Sequence, residues 1–317
     1  MKIRFPRTAM LGCVCLSFAL QQASVQAFNS DFGEMTHEKN SLYTSICVYQ
    51  SGTVATLQFG RRQEDTVQSQ VDLAKPRVHM LEYSEMTFSS LLYNSEPKRL
   101  LVLGLGGGVI PREMRHYFPT LEIDVAEIDE AILPIATKYF GFKTDEKLKV
   151  HEVDGRVFVK RQRKLNPVPK YDIIILDAFS GDYIPFHLMT KEFLEELKGL
   201  LSENGVVVAN VFYTNQLFAA EFKTFLEVFG RCQAYYGVDS GNAMLVSLAP
   251  GIPLLTKEEA VSKAADVQKK VGLSFDLVRI AGMLNTEQKP NASVKVLTDD
   301  RAPVNQLKEK SVEPVKD

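Results

Sequence analysis

Arg99-Leu100-Leu101-Val102-Leu103-Gly104-Leu105-Gly106-Gly107-Gly108 is the stretch that decides how this chain folds. Four consecutive apolar residues running into a glycine-rich turn describe a strand covered on both faces with a tight exit. Pro111 stands near the start of the helix predicted over 110–117. The same unit then repeats. Strands are predicted at 122–127, 149–152, 172–177 and 206–212, and helices at 130–139, 156–161 and 191–201. Such alternation builds a doubly wound α/β sheet with mostly parallel strands, and its ligands bind beyond the C-terminal strand ends where the strand order reverses.

After a helix at 216–229 the rhythm breaks. Strands at 232–238 and 243–248 are separated only by Asp239-Ser240-Gly241-Asn242, too few residues for a crossover helix, so the pair is antiparallel. Five parallel strands and a terminal antiparallel hairpin make the seven-stranded, Rossmann-type plan of S-adenosylmethionine-dependent methyltransferases. Upstream, β-branched and aromatic residues around Ser51-Gly52 predict a hairpin with strands at 42–50 and 53–59, and a further short strand at 67–73. Met80, Tyr83, Met86, Phe88, Leu91 and Leu92 fall at helical spacing and predict a helix over 78–93, ended by Asn94-Ser95-Glu96-Pro97.

The first 27 residues have a different character. Lys2, Arg4 and Arg7 precede an apolar run from Thr8 to Leu20 and the small-residue exit Val25-Gln26-Ala27, the order of a secretory signal peptide. The run is shorter than the roughly 20 residues a spanning helix needs, so no stable membrane insertion is expected once it is removed. The expected location is periplasmic or secreted. The resulting division is a signal peptide over 1–27, a β-hairpin domain with its linking helix over 28–97, a nucleoside-binding catalytic domain over 98–306, and a charged tail over 307–317.

Across all 317 residues, 37 Lys and Arg oppose 39 Asp and Glu, for a net charge of −2. Removing the three basic residues of the leader takes the charge to −5, which argues against a nucleic-acid partner. Of the four cysteines, Cys47 and Cys232 lie beyond the leader. They pair in an oxidising compartment or sit as buried small hydrophobes, and burial is the expectation. No His, Cys or acid cluster has metal spacing, so no metal is expected.

Acids gather where the sheet would bind its ligand. Gly104, Gly106 and Gly107 let a ligand approach backbone, and Glu127, 23 residues past Gly104, ends the next strand where a carboxylate accepts from both ribose hydroxyls. Asp154-Gly155 follows the third strand, placed to accept from an adenine amino group; taken singly, Asp154 is as well read as a helix N-cap. Asp177 ends the fourth strand where a nucleophile would approach, and Asp182 in the next loop is a second acid suited to a cation, or an ordinary turn residue. His187 is expected to be a structural histidine.

These residues carry a family resemblance. Gly104-Leu105-Gly106-Gly107-Gly108 with Arg112-Glu113, Glu127-Ile128-Asp129, Asp154-Gly155-Arg156 and Asp177-Ala178-Phe179 resemble the polyamine aminopropyltransferases, the spermidine synthase family. Tyr83-Ser84-Glu85-Met86 is similar to the family's Tyr-x-Glu-Met, and Thr298-Asp299-Asp300-Arg301-Ala302-Pro303-Val304 to the C-terminal signature of a divergent bacterial branch. The resemblance implies that Glu127 holds the ribose, Asp154 the adenine, and that Asp177 takes the proton from an attacking amine. It implies that Tyr83 lines the amine pocket and, by a looser match, that Gln68 contacts the nucleoside. The family carries an acid inside its glycine turn; counted back from Arg112-Glu113, that position is Gly107 here.

The expected reaction is aminopropyl transfer from decarboxylated S-adenosylmethionine to a small amine such as putrescine. A methyltransferase using intact S-adenosylmethionine is the rival, because a glycine turn without the acid can receive a carboxylate. An exported polyamine or nucleoside binder without catalysis is a third reading. A nicotinamide dehydrogenase is the weakest, since Val109 replaces the third glycine of its usual spacing. Assembly stays open, with a homodimer one option.

Overall fold

The computed structural model of the chain describes residues 29–60, 67–179, 184–214 and 217–301. The leader, the tail and Asp182 lie outside the described residues.

An antiparallel meander comes first: β1 (Asn29–Ser30), β2 (Gly33–Asn40), β3 (Ser45–Ser51), β4 (Val54–Phe59) and β5 (Val67–Asp72), paired in chain order. The hairpin around Ser51-Gly52 and the strand after it were expected; β2 was not, because its alternation carries charge on the outer face. The segment expected as one helix is instead a short α1 (Glu82–Met86) running into a 3-10 turn (Thr87–Leu92). The Ser84 hydroxyl donates to the Leu81 carbonyl and the Thr87 hydroxyl to the Ser84 carbonyl, side-chain bonds that compete with the regular helical ladder.

The larger unit alternates β6 (Arg99–Leu103), α2 (Val109–Tyr117), β7 (Glu122–Glu127), α3 (Ile132–Tyr139), β8 (Leu148–Glu152), α4 (Gly155–Gln162), β9 (Tyr171–Leu176), α5 (Lys191–Lys198), β10 (Leu201–Phe212) and α6 (Leu217–Phe229). The hairpin β11 (Gln233–Tyr236) and β12 (Asn242–Leu248) follows, then α7 (Lys257–Val271), α8 (Leu277–Gly282) and β13 (Leu284–Asn285). The sheet order is β13-β11-β12-β10-β9-β6-β7-β8, with β8 through β10 parallel and the remainder antiparallel. The two-residue β13 adds an eighth strand to the expected seven. The helix α7 has a signal at Thr256-Lys257-Glu258-Glu259, which forms a capping box.

Strand side chains alternate between two cores. Leu100, Val102, Ile173, Ile175, Val206 and Val208 join the helices α2, α3, α7 and α8 and the buried face of the N-terminal sheet. Leu101, Leu103, Ile174, Leu176, Val207 and Ala209 face α4, α5 and α6. Each fully buried Leu or Ile contributes about 2 kcal/mol, so the apolar side chains on one face of β6 together approach the lower end of a small domain's whole margin. The first core is continuous between the two sheets: Ile46, Val48 and Leu57 pack in the same cluster as Phe88, Leu91 and Val102. That continuity fixes the N-terminal sheet over the C-terminal ends of β6, β7 and β9.

Candidate active site

Register brings the strand-end residues together. Leu103 pairs with both Ala126 and Leu176, so Gly104 sits between the ends of β7 and β9. Leu176 pairs with Ala209, which sets Asp177 beside Asn210. β6 lies between β7 and β9, the switch point of the sheet, and a cavity of about 720 Å³ opens there. Gly104, at φ +100°, is required: a Cβ would run into the Asp177 carbonyl oxygen.

Asp177 lies at the cavity wall, its backbone N–H donated to the Leu103 carbonyl at 2.8 Å. Burial pushes its carboxyl up to about 7, opposed only by the Asn210 amide, which donates to Oδ1 at 2.9 Å. Asn210 is itself held by the Asn242 amide at 2.8 Å. Neither asparagine was expected, although one amide inside the run Val206-Val207-Val208-Ala209-Asn210-Val211 is a legible signal: a buried amide in an apolar strand needs partners.

Glu127 is buried and accepts from the Leu105 amide at 2.9 Å and the Asp129 amide at 2.9 Å. Burial raises its pKa and those amides oppose the rise. Each oxygen keeps a second lone pair for a ligand. Asp154 is the N-cap of α4, accepting from the Val157 amide at 2.9 Å, and also faces the cavity. Its second oxygen lies 2.8 Å from His187 Nε2, so His187 is partnered and lines the cavity as well. Burial would raise Asp154, but the bonds from His187 and Val157 outweigh it and hold its pKa below the usual range.

Tyr83 and Gln68 both reach the cavity, the Tyr83 hydroxyl donating to the Gln68 carbonyl at 2.7 Å. Gly104, Gly106 and Gly155 line it too, whereas Gly107 lies behind the turn. Its amide donates to the Ser69 hydroxyl at 2.8 Å, and a Cβ there would come within 2.8 Å of Ser69 and 2.9 Å of Phe140. The position matching the family acid is therefore closed by β5 and α3's C-terminal neighbour. Glu82 is a further residue the sequence did not single out. Its carboxylate accepts from the amides of Val238, Asp239 and Ser240 and pairs with Arg279, drawing the β11–β12 turn over the cavity. Burial opposes that charge, yet the Ser240, Asp239 and Arg279 bonds hold its pKa below the usual range.

Six carboxylates line the cavity (Glu82, Glu127, Asp129, Asp154, Asp177 and Asp239), and no Lys or Arg does among the described residues. Cys47 and Cys232 are both buried, and burial pushes the Cys232 thiol up to about 12. Among the described residues no three potential metal ligands gather.

A Rossmann-type sheet with an acid-lined cavity at its switch point defines a transferase of the S-adenosylmethionine-dependent fold class. The spermine/spermidine synthase domain matches residues 80–238. A polyamine aminopropyltransferase of Vibrio vulnificus (strain CMCP6) is 34% identical over 300 residues, covering 93% of this chain and 98% of that relative. Among solved structures, a probable spermidine synthase from Corynebacterium glutamicum superposes with a TM-score of 0.64 at 17% identity, covering 84% of this chain and 98% of the other. Human methyltransferase-like protein 13, solved in complex with SAH, superposes with a TM-score of 0.55 at 25% identity, covering 61% of this chain and 93% of that one. The chain belongs to the spermine/spermidine synthase family.

Proposed function

We propose that this protein transfers the aminopropyl group of decarboxylated S-adenosylmethionine to a small primary amine such as putrescine. The observation that carries the reading is the lining itself: six carboxylates, Asp177 among them, with no lysine or arginine among the described residues. Such a wall favours a sulfonium, an aminopropyl ammonium and a polyamine, and among its described residues offers no lysine or arginine to the carboxylate of intact S-adenosylmethionine. The glycine turn offers little more. The amides of Gly104, Leu105, Gly107 and Gly108 are all donated within the chain.

In this reading Glu127 accepts from the ribose hydroxyls, Asp154 from the adenine amino group, and Gly104, Gly106 and Gly155 let the nucleoside approach backbone. Gln68 borders the nucleoside, and Tyr83 the amine. A free alkylamine has a pKa of about 10 and arrives protonated. Asp177 attracts that cation and accepts one of its protons as the new N–C bond forms. The C–S bond breaks with its electron pair going to sulfur, which leaves as neutral methylthioadenosine. A carboxyl raised to about 7 is a better base than an exposed aspartate. Holding both reactants in line supplies much of the remaining acceleration.

Methyl transfer to an amine in the same cavity is the second reading, favoured by the likeness to a methyltransferase solved with SAH. Export rests on residues 1–27 alone. Incubating the purified protein with each of the two cosubstrates and a panel of amines, read by mass, tests the assignment. Methylthioadenosine and an aminopropylated amine are expected from the decarboxylated form; a methylated amine from intact S-adenosylmethionine would reverse it.

A further inference from the structure

The C-terminal motif Thr298-Asp299-Asp300-Arg301 takes no part in the chemistry above, yet it is tied to Arg156 and Thr190, behind the cavity wall that Asp154, Gly155 and His187 form. Thr298 and Arg301 bridge through a pair of backbone bonds of 3.0 and 2.9 Å, making a tight turn that presents Asp299. The Asp299 carboxylate accepts both terminal nitrogens of Arg156, at 2.7 and 2.8 Å, and the Thr190 hydroxyl at 2.7 Å. Its own amide donates to Glu192 at 2.9 Å. Arg156 simultaneously grips Glu196 through Nε and Nη2, at 3.0 and 2.9 Å. Its side chain is only 12% exposed.

The position of this latch matters more than its strength. Arg156 is two residues beyond Asp154, in the first turn of α4, and Thr190 is the N-cap of α5. Between them runs the turn bearing His187, whose carbonyl lies 3.5 Å from Arg156 Nη1 and whose ring meets Asp154 at 2.8 Å. Asp154, Arg156 and His187 thus close a ring, and Asp299 locks it from outside. An exposed single ion pair would contribute little. A guanidinium held by two carboxylates in two forks fixes geometry, because its donors are planar and rigid.

We propose that Arg156 and Asp299 are positioning residues for the nucleoside end of the cavity, holding the start of α4 and the His187 turn at the one separation in which Asp154 and His187 meet an adenine edge. This rests on the reading of Asp154 as the adenine-facing acid. Asp177, Asn210 and Asn242, on other strands, are outside the latch, so the amine end is unaffected.

The test measures binding of methylthioadenosine by calorimetry and steady-state kinetics for both substrates in the full chain. Asp299→Asn is expected to weaken methylthioadenosine binding and raise KM for the nucleoside cosubstrate about tenfold, the scale of a charge-assisted bond, with kcat and the amine KM within about twofold. Asp299→Glu, which keeps the charge, should recover part of the loss. If Asp299→Asn fails to fold, Arg156→Lys, which keeps charge but not the fork, should show the same split. A lowered melting temperature with unchanged nucleoside affinity would overturn the latch. If Asp154→Ala abolishes binding while both latch variants retain it, only the latch fails; if the unaltered protein binds no methylthioadenosine, the nucleoside reading fails with it.

Discussion

Glu127 and Asp177 end the two strands that flank β6, and both are acids at the same cavity, yet the chain treats them differently. At the end of β7, Glu127 accepts two backbone amides, that of Leu105 from the glycine turn after β6 and that of Asp129 from its own exit. The end of β9 gives Asp177 one side-chain amide, from Asn210, and otherwise burial. Backbone donors make a carboxylate a fixed anchor; a single amide in a poorly hydrated wall leaves one that can exchange a proton near neutrality. The comparison separates a residue that shapes the site from one that works in it.

The hardest test of that difference is Asp177→Asn. Turnover should fall roughly a thousandfold, the scale of losing a general base, with methylthioadenosine affinity retained. Stability should move the opposite way. Because folding raises the Asp177 pKa to about 7, the stability it lends is fully present below its unfolded pKa and lost as pH rises through about 7. Thermal melting should therefore show Asp177→Asn more stable than the parent near pH 8, the gap closing by about pH 4. No gain at the higher pH would mean the carboxyl is not strained by burial.

Glu127→Gln removes an acid that burial also raises, but it leaves a backbone donor without its acceptor. The new amide group would face the donated N–H of Leu105 or Asp129, and melting should report a loss of about 2 kcal/mol. An unchanged melting temperature would dissolve the contrast between the two acids. The smallest effect sharpens it: Asn210→Ala removes the one bond that opposes the Asp177 shift, so the acid limb of the pH–rate profile should move up by as much as about one pH unit. A downward movement would mean that the amide is not the bond that lowers Asp177.

Much of the fold was legible because its signals are local. The apolar run Leu100–Leu103 and the repeated strand–turn–helix periods are properties of neighbouring residues, and the gap at Asp239–Asn242 left only an antiparallel hairpin. The helix over 78–93 was misread for an equally physical reason: its apolar spacing is helical, but Ser84 and Thr87 divert backbone carbonyls and the chain tightens into a 3-10 turn. The capping box before α7 was present in the sequence and simply followed no strand rhythm.

The sequence by itself determined which acids would stand at strand ends, since a strand's length and exit are written in consecutive residues. Only the tertiary structure decided what surrounds them. Asn210 meets Asp177 across 33 residues, Ser69 reaches the Gly107 amide across 38, and Arg156 finds Asp299 across 143. Those pairings follow from strand register and from one sheet packing over another. They are set by the burial of two whole cores rather than by any stretch of chain, and they decide which carboxylate anchors and which reacts.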